Sequence, residues 1–158
     1  MKPCPTERPE PQSKERLRLW LKLLTLTTAI ETDLRRKLRE EHDTTLPRFD
    51  VMAALARHPE GLKMSALSGY LKVSNGNVTG IVDRLTAEGL ALRVAVPGDR
   101  RAQIARLTGQ GQAAFAALAA EHEAWIDRRL GALSPADVQA LGALLDRARA
   151  GGGSDEPD

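Results

Sequence analysis

Apolar residues recur at three- and four-residue spacing along most of this chain, which predicts a mainly helical protein. From Lys14 to about Glu41, Leu17, Trp20, Leu24, Thr27, Leu34 and Leu38 form one stripe, widened by Leu21, Leu23 and Ile30. A shorter helix carries Phe49, Met52, Ala53, Leu55 and Ala56; Thr45 is its expected cap, Pro47 stands in its first turn, and His58-Pro59-Glu60-Gly61 closes it. Met64, Leu67 and Leu71 then share one side of a third helix, and after Lys72-Val73 the chain restarts at Ser74, whose hydroxyl suits the open backbone donors of a new helix. Val78, Ile81, Val82 and Leu85 give that helix its apolar stripe. With successive residues about 100° apart, Gly76, Gly80 and Asp83 fall on the opposite face, flanked by Asn77, Thr79 and Arg84.

Glu88-Gly89-Leu90 ends the fourth helix with a C-terminal glycine, and Ala91 to Val96 and Ala102 to Leu107 read as two strands around Pro97-Gly98-Asp99-Arg100-Arg101. From Thr108 an alanine-rich helix runs to about Leu130. Ser134-Pro135-Ala136-Asp137 starts another, with Val138, Leu141, Leu144, Leu145 and Ala148 on its apolar face, and Gly151-Gly152-Gly153-Ser154 ends it. The expected fold is therefore mainly α with a small β-wing. It comprises a mobile N-terminal arm (1–13), an N-terminal dimerisation helix (14–46), a winged helix-turn-helix domain (47–107), C-terminal dimerisation helices (108–150) and a flexible acidic tail (151–158). Nothing in a wing domain needs the outer helices, so their apolar faces are expected to pair in a twofold homodimer that reads two half-sites.

Glycine inside a helix costs up to about 1 kcal/mol relative to alanine, so glycines on the exposed face of the fourth helix ask for a reason. Close approach to DNA supplies one. A helix in the major groove wants short side chains where its backbone nears the duplex, and Asn, Thr or Arg where base edges and phosphates come within reach. A surface helix with two indifferent glycines is the bland alternative. The hairpin tips the balance: paired arginines at its tip read as a wing with cations placed for a minor groove or for phosphate. Although an ordinary hairpin with a solvated charged tip is the alternative, the two motifs stand in the right order and at the right distance. The expected DNA-binding residues are Ser74, Asn75, Gly76, Asn77, Thr79, Gly80 and Arg84 on the helix, with Arg100 and Arg101 on the wing.

The order of helix-turn-helix, Val82-Asp83-Arg84-Leu85, Glu88-Gly89-Leu90, Asp99-Arg100-Arg101 and Leu107-Thr108-Gly109-Gln110-Gly111 resembles the MarR family of bacterial transcriptional regulators. The pairing of the Asp-Arg-Arg wing with the Leu-Thr-x-x-Gly that follows is the most specific part, and the likeness covers nearly the whole chain. It implies a homodimeric winged-helix protein that binds a palindromic operator and, as is common in the family, is released by a small molecule. By motif position, Asp83 matches the family aspartate that holds a wing arginine, and Arg101 is its expected partner. Gly80 departs from the pattern, standing where many relatives carry arginine. A narrower resemblance joins Ser74 to Gly80 and His122-Glu123-Ala124-Trp125 to members that control breakdown of aromatic acids such as hydroxycinnamates, some of which respond to the coenzyme A thioester. Ordinary helix packing of His122 and Trp125 is the competing account.

Composition limits these readings without overturning them. Apolar residues make up 42% and charged residues 28% of the 158, and no run approaches the roughly 18 apolar residues of a membrane helix. No export signal is visible at the start, so a cytoplasmic location is expected. Net charge is only +2, but it is unevenly placed. Between Lys63 and Leu107, Lys63, Lys72, Arg84, Arg93, Arg100, Arg101 and Arg106 stand against Asp83, Glu88 and Asp99, a local +4, whereas the last residues include Asp155, Glu156 and Asp158. The single cysteine, Cys4, excludes an internal disulfide and reads as an incidental thiol. His42, His58 and His122 are widely spaced and fit no metal motif, and no phosphate loop or nucleophile motif is present; neither catalysis, a cofactor nor a metal is expected. The competing function is a winged-helix module for protein interaction, without a small-molecule effector.

An aromatic effector needs an apolar slot, and Trp20 and Leu24 beside Phe49 and Met52 are the expected walls. Arg35, Arg36 and Arg39 would face the phosphates of a coenzyme A thioester. Elsewhere such a basic run, interleaved with Asp33, Glu40 and Glu41, is simply a solvated helix face.

Overall fold

A computed structural model describes residues 11–71 and 75–151. Helix α1 spans Pro11–His42, starting three residues earlier than the apolar stripe suggests. Pro11 fits that start, since the first helical residue needs no N–H and favours the fixed proline φ. Asp43 follows at φ 47°, a left-handed conformation that Asp tolerates better than most residues, and Thr44 N–H donates to Leu38 O at 3.0 Å as the chain reverses. Helix α2 (Leu46–Ala56) is then capped as expected: the extended Thr45 accepts from the Arg48 N–H at 3.3 Å, with Pro47 in the first turn.

Gly61, at φ 101°, leads into β1 (Leu62–Lys63), an element the sequence pattern did not predict because two residues are too short to show alternation. Helix α3 (Met64–Leu71) and helix α4 (Asn75–Ala87) form the helix-turn-helix, and β2 (Ala91–Val96) and β3 (Asp99–Leu107) form the wing. The three strands are antiparallel in the order β1-β3-β2, with Leu62 opposite Ala105 and Arg93 opposite that same residue from the other side.

β3 begins three residues before the expected Ala102, so the wing's Asp99, Arg100 and Arg101 lie in a strand and the loop is only Pro97-Gly98. Proline cannot take positive φ, which leaves Gly98 to supply it, at 85°. A turn of that kind does not match the strand twist, and the register breaks beside it: Ala95 faces Gln103, whereas Val96 already faces Asp99.

The apolar stripes of α2, α3 and α4 converge on the sheet. Val51, Met52, Leu55, Leu67, Val78, Val82, Leu85, Ala91, Ala105 and Leu107 form one buried cluster, against which Ile81, Leu90 and Phe115 are packed. This unit extends through Phe115, and a second runs from Ala116. Helix α5 (Gly109–Arg129) passes from one to the other, and α6 (Pro135–Gly151) starts on the predicted restart. There Ser134 Oγ donates to Asp137 Oδ2 at 2.6 Å and accepts from the Asp137 N–H at 3.2 Å, a reciprocal cap that holds the Asp137 carboxyl below its ordinary range. No residue of α6 is buried within the chain.

Candidate nucleic-acid interface

Helix α4 presents two unlike faces. Val78, Val82 and Leu85 are fully buried, while Asn77, Thr79, Gly80, Asp83 and Arg84 are exposed. A Cβ added at Gly80 would meet nothing within 4 Å among the described residues, so no described neighbour requires that glycine. Its absence of a side chain becomes useful only against a partner that comes close to the helix backbone. Ser74 lies outside the described residues, as do the side chains at 75, 76 and 100, so the expectations for Ser74, Asn75, Gly76 and Arg100 stay with the sequence.

The helix is held to the wing by a residue the sequence pattern did not single out. Asp83 does not pair with Arg101; its Oδ1 lies 2.8 Å from Arg93 Nη2. Arg93 Nη1 also donates to Gln103 Oε1 at 3.0 Å, and Nη2 approaches the Thr79 carbonyl at 3.5 Å. The reason lies in strand parity. Residues opposite each other in an antiparallel pair share a face, and Arg93 stands opposite the buried Ala105, so it points to the α4 side. Small alanines at 91, 95 and 105 leave room for the long side chain, which is only 25% exposed. A charged residue at the inward parity of β2 was the available signal.

Arg101, beyond the register break, has a different setting. Its backbone N–H donates to Asp99 Oδ1 at 3.0 Å and its side chain is exposed at the wing.

The C-terminal end of α4 is pinned from several directions. Leu90 N–H donates to Leu85 O at 2.8 Å and Gly89 N–H to Thr86 O at 3.0 Å, with Gly89 at φ 74°, the double closure expected of a glycine-terminated helix. Thr108 Oγ1 donates to Gly89 O at 2.7 Å and accepts from the Gly111 N–H at 3.0 Å, while Thr108 N–H donates to Leu90 O at 3.0 Å. A Cβ on Gly111 would sit 1.9 Å from Leu90 O. These contacts account for Leu-Thr-x-x-Gly: the threonine caps α5 and staples it to the end of α4, and the glycine permits the approach. On the other side Arg48 Nη1 donates to Glu88 Oε1 at 2.8 Å and Arg48 Nη2 to Glu88 Oε2, which lowers the Glu88 pKa and raises that of Arg48.

The expected effector residues do not come together in one slot. Met52 belongs to the core and Phe49 is buried with its ring 5.5 Å from that of Phe115, so neither walls an open cavity. Trp20, 56% exposed, and Leu24 stand on the surface of α1 instead. Arg35 is held by Glu31 at 2.6 Å and Arg36 by Asp33 and Glu40 at 3.6 and 3.3 Å, which balances much of that cluster on its own helix; Arg39 is exposed. A cleft of about 260 Å³ between α2 and α3 is lined by Asp50, Ala53, Ala54, Arg57, Tyr70 and Leu71, and takes in none of the expected residues.

The family model of MarR proteins matches residues 42–102. Among solved structures, a MarR family transcriptional regulator from Silicibacter pomeroyi is 37% identical, with a TM-score of 0.70 over 89% of this chain and 98% of that one. Sco3205 of Streptomyces coelicolor, a MarR family regulator solved in complex with DNA, shares the fold at 24% identity, with a TM-score of 0.76 over 97% of both chains. The HTH-type transcriptional regulator YfiV of Bacillus subtilis is 31% identical over 99 residues, so the match spans 63% of this chain and 61% of the length of that regulator. Each of the three is named as a transcriptional regulator.

Proposed function

This chain belongs to the MarR family of winged helix-turn-helix transcriptional regulators, and on that premise we propose that it is a homodimeric repressor that reads a palindromic operator. The observation that carries the reading is the exposed face of α4, where Asn77, Thr79 and Arg84 surround a glycine against which none of the described residues packs, beside a wing that bears Arg101. Asn and Thr supply base-edge hydrogen bonds in a major groove, and Arg101, with Arg100, grips phosphate. Homodimerisation is supported by the apolar residues that one chain leaves open: Leu17, Trp20, Leu21 and Leu24 on α1 and Val138, Leu141, Leu144 and Leu145 on α6.

Selection from random duplexes tests the reading. The wild-type protein should enrich a palindrome with half-sites about one DNA turn apart. Arg101→Ala should weaken binding to all duplexes and reduce the log-log salt slope by about 0.9 for each phosphate it no longer neutralises. Asn77→Ala or Thr79→Ala should change which bases are enriched, and equal losses on enriched and scrambled duplexes would remove them from base readout.

Release by a small aromatic acid or its coenzyme A thioester is the finer part of the proposal. Its support is the resemblance of Ser74 to Gly80 and of His122 to Trp125, together with the open Trp20 and Leu24 and the exposed Arg39. Ligand must bind the free protein more tightly than the DNA-bound one, and DNA must weaken ligand binding by the same factor. Calorimetry with free aromatic acids and their thioesters, with and without the enriched duplex, measures both; equal affinities would exclude such an effector.

A further inference from the structure

We propose that Arg48 is a positioning residue for DNA reading: through Glu88 it sets where the recognition helix ends, and so how the opposite end of that helix meets base edges. The inference rests on the reading of α4 as the recognition helix. Arg48 lies in the first turn of α2, and its own N–H is tied to the Thr45 cap at 3.3 Å. Its guanidinium meets both oxygens of Glu88, forty residues away, and its side chain is only 22% exposed. A planar two-point contact of this kind specifies orientation as well as distance.

The placement of Glu88 is otherwise unfavourable. It follows directly on Ala87, the last residue of α4, where the helix dipole presents its negative end and a carboxylate is repelled. Arg48 reverses that penalty. The residues that follow, Gly89 and Leu90, are held by Thr108 and crowded by Gly111, so the end of α4 is gripped by α2 on one side and by the start of α5 on the other. Of these grips, the Arg48–Glu88 contact is the one made between two side chains.

Leverage makes this grip matter for sequence reading. From Glu88 to Asn77 the helix rises about 16 Å, so a tilt of about 3° at its C-terminal end moves the reading residues by about 0.9 Å. Base-edge hydrogen bonds tolerate roughly half of that, whereas long phosphate-binding side chains follow a shifted backbone. Loss of Arg48 should therefore reduce discrimination between sequences and leave affinity for any duplex largely intact.

The test compares the duplex enriched by the wild-type protein with a scrambled duplex of the same composition. Arg48→Gln should weaken binding to the enriched duplex by about tenfold, the lower end of what one mismatched base pair costs, with binding to the scrambled duplex changed by less than about twofold. The exchange Arg48→Glu with Glu88→Arg places each charge at the helix end that favours it and should recover most of the loss. Equal losses on both duplexes, no loss at all, or an exchanged pair no better than Arg48→Gln would each overturn the proposal. If the wild-type protein enriches no duplex, the reading of α4 as a recognition helix falls first and this inference with it.

Discussion

Arg93 on β2 and Asp83 on α4 meet at 2.8 Å, and this pair joins the wing to α4. Because Arg93 also donates to Gln103 on β3, one side chain ties both wing strands to the helix. Arg93→Ala should lower stability by about 1–2 kcal/mol, the range for a partly buried, charge-assisted hydrogen bond, and should weaken binding to the enriched duplex. Asp83→Asn should have a smaller effect of the same sign. Denaturant unfolding with parallel DNA titration checks both, and an unchanged Arg93→Ala protein would show that the wing is held by its strands alone.

Gly80 and Gly111 should respond oppositely to alanine. At Gly111 the new methyl would collide with the Leu90 carbonyl, so a loss of about 2–3 kcal/mol is expected, or roughly 5–10 °C in melting temperature. At Gly80 there is open space, so alanine should stabilise α4 by about 0.5–1 kcal/mol through helix propensity alone. Gly80→Ala should nevertheless bind DNA more weakly. A variant both more stable and tighter on DNA would place the backbone of α4 away from the groove.

Acid should expose the contribution of Glu88. Arg48 holds the Glu88 carboxyl below its usual value near 4.5, so the folded pKa lies under the unfolded one. The stability this adds is complete above about pH 4.5 and is lost as pH falls through the folded value. Glu88→Gln should therefore cost at most about 1 kcal/mol at pH 7, the scale of a partly exposed ion pair, and the difference from wild type should shrink in acid. A difference constant from pH 7 to pH 3 would assign the loss to something other than the ion pair.

The open face of α6 gives a test of assembly. Leu141→Glu with Leu144→Glu alters two residues that one chain leaves exposed, at 38% and 50%. In an isolated chain such changes are nearly neutral, within about 0.5 kcal/mol. In a dimer that covers this face they should shift sedimentation to the monomer and abolish tight binding to a palindromic duplex. A double variant that keeps the wild-type mass in solution would remove α6 from the interface.

Much of this architecture was legible in the chain itself, wherever local chemistry is decisive. The Thr45 and Ser134 caps, the prolines in first turns, the glycine closing α4 and the stripe of Val78, Val82 and Leu85 are set by neighbours a few residues apart, and the structure places each as the pattern predicts. Long-range pairing was not legible in the same way. β1 is too short to announce itself and exists because Leu62 and Lys63 find β3. Arg93 took Asp83 from the expected Arg101 because strand register pointed it inward over small alanines, and a register break at Pro97-Gly98 set Arg101 apart. Phe49 and Met52 looked as suitable for a ligand slot as for a core, since apolar side chains serve either; packing against Phe115 and the α3–α4 stripes decided for the core. Sequence alone determined the six helices, the two wing strands to within a few residues and which face of α4 stays polar, because those follow from backbone geometry and burial over one or two turns. Which charge meets which, and which apolar surface is left without a cover, was decided only when the tertiary structure brought distant residues together.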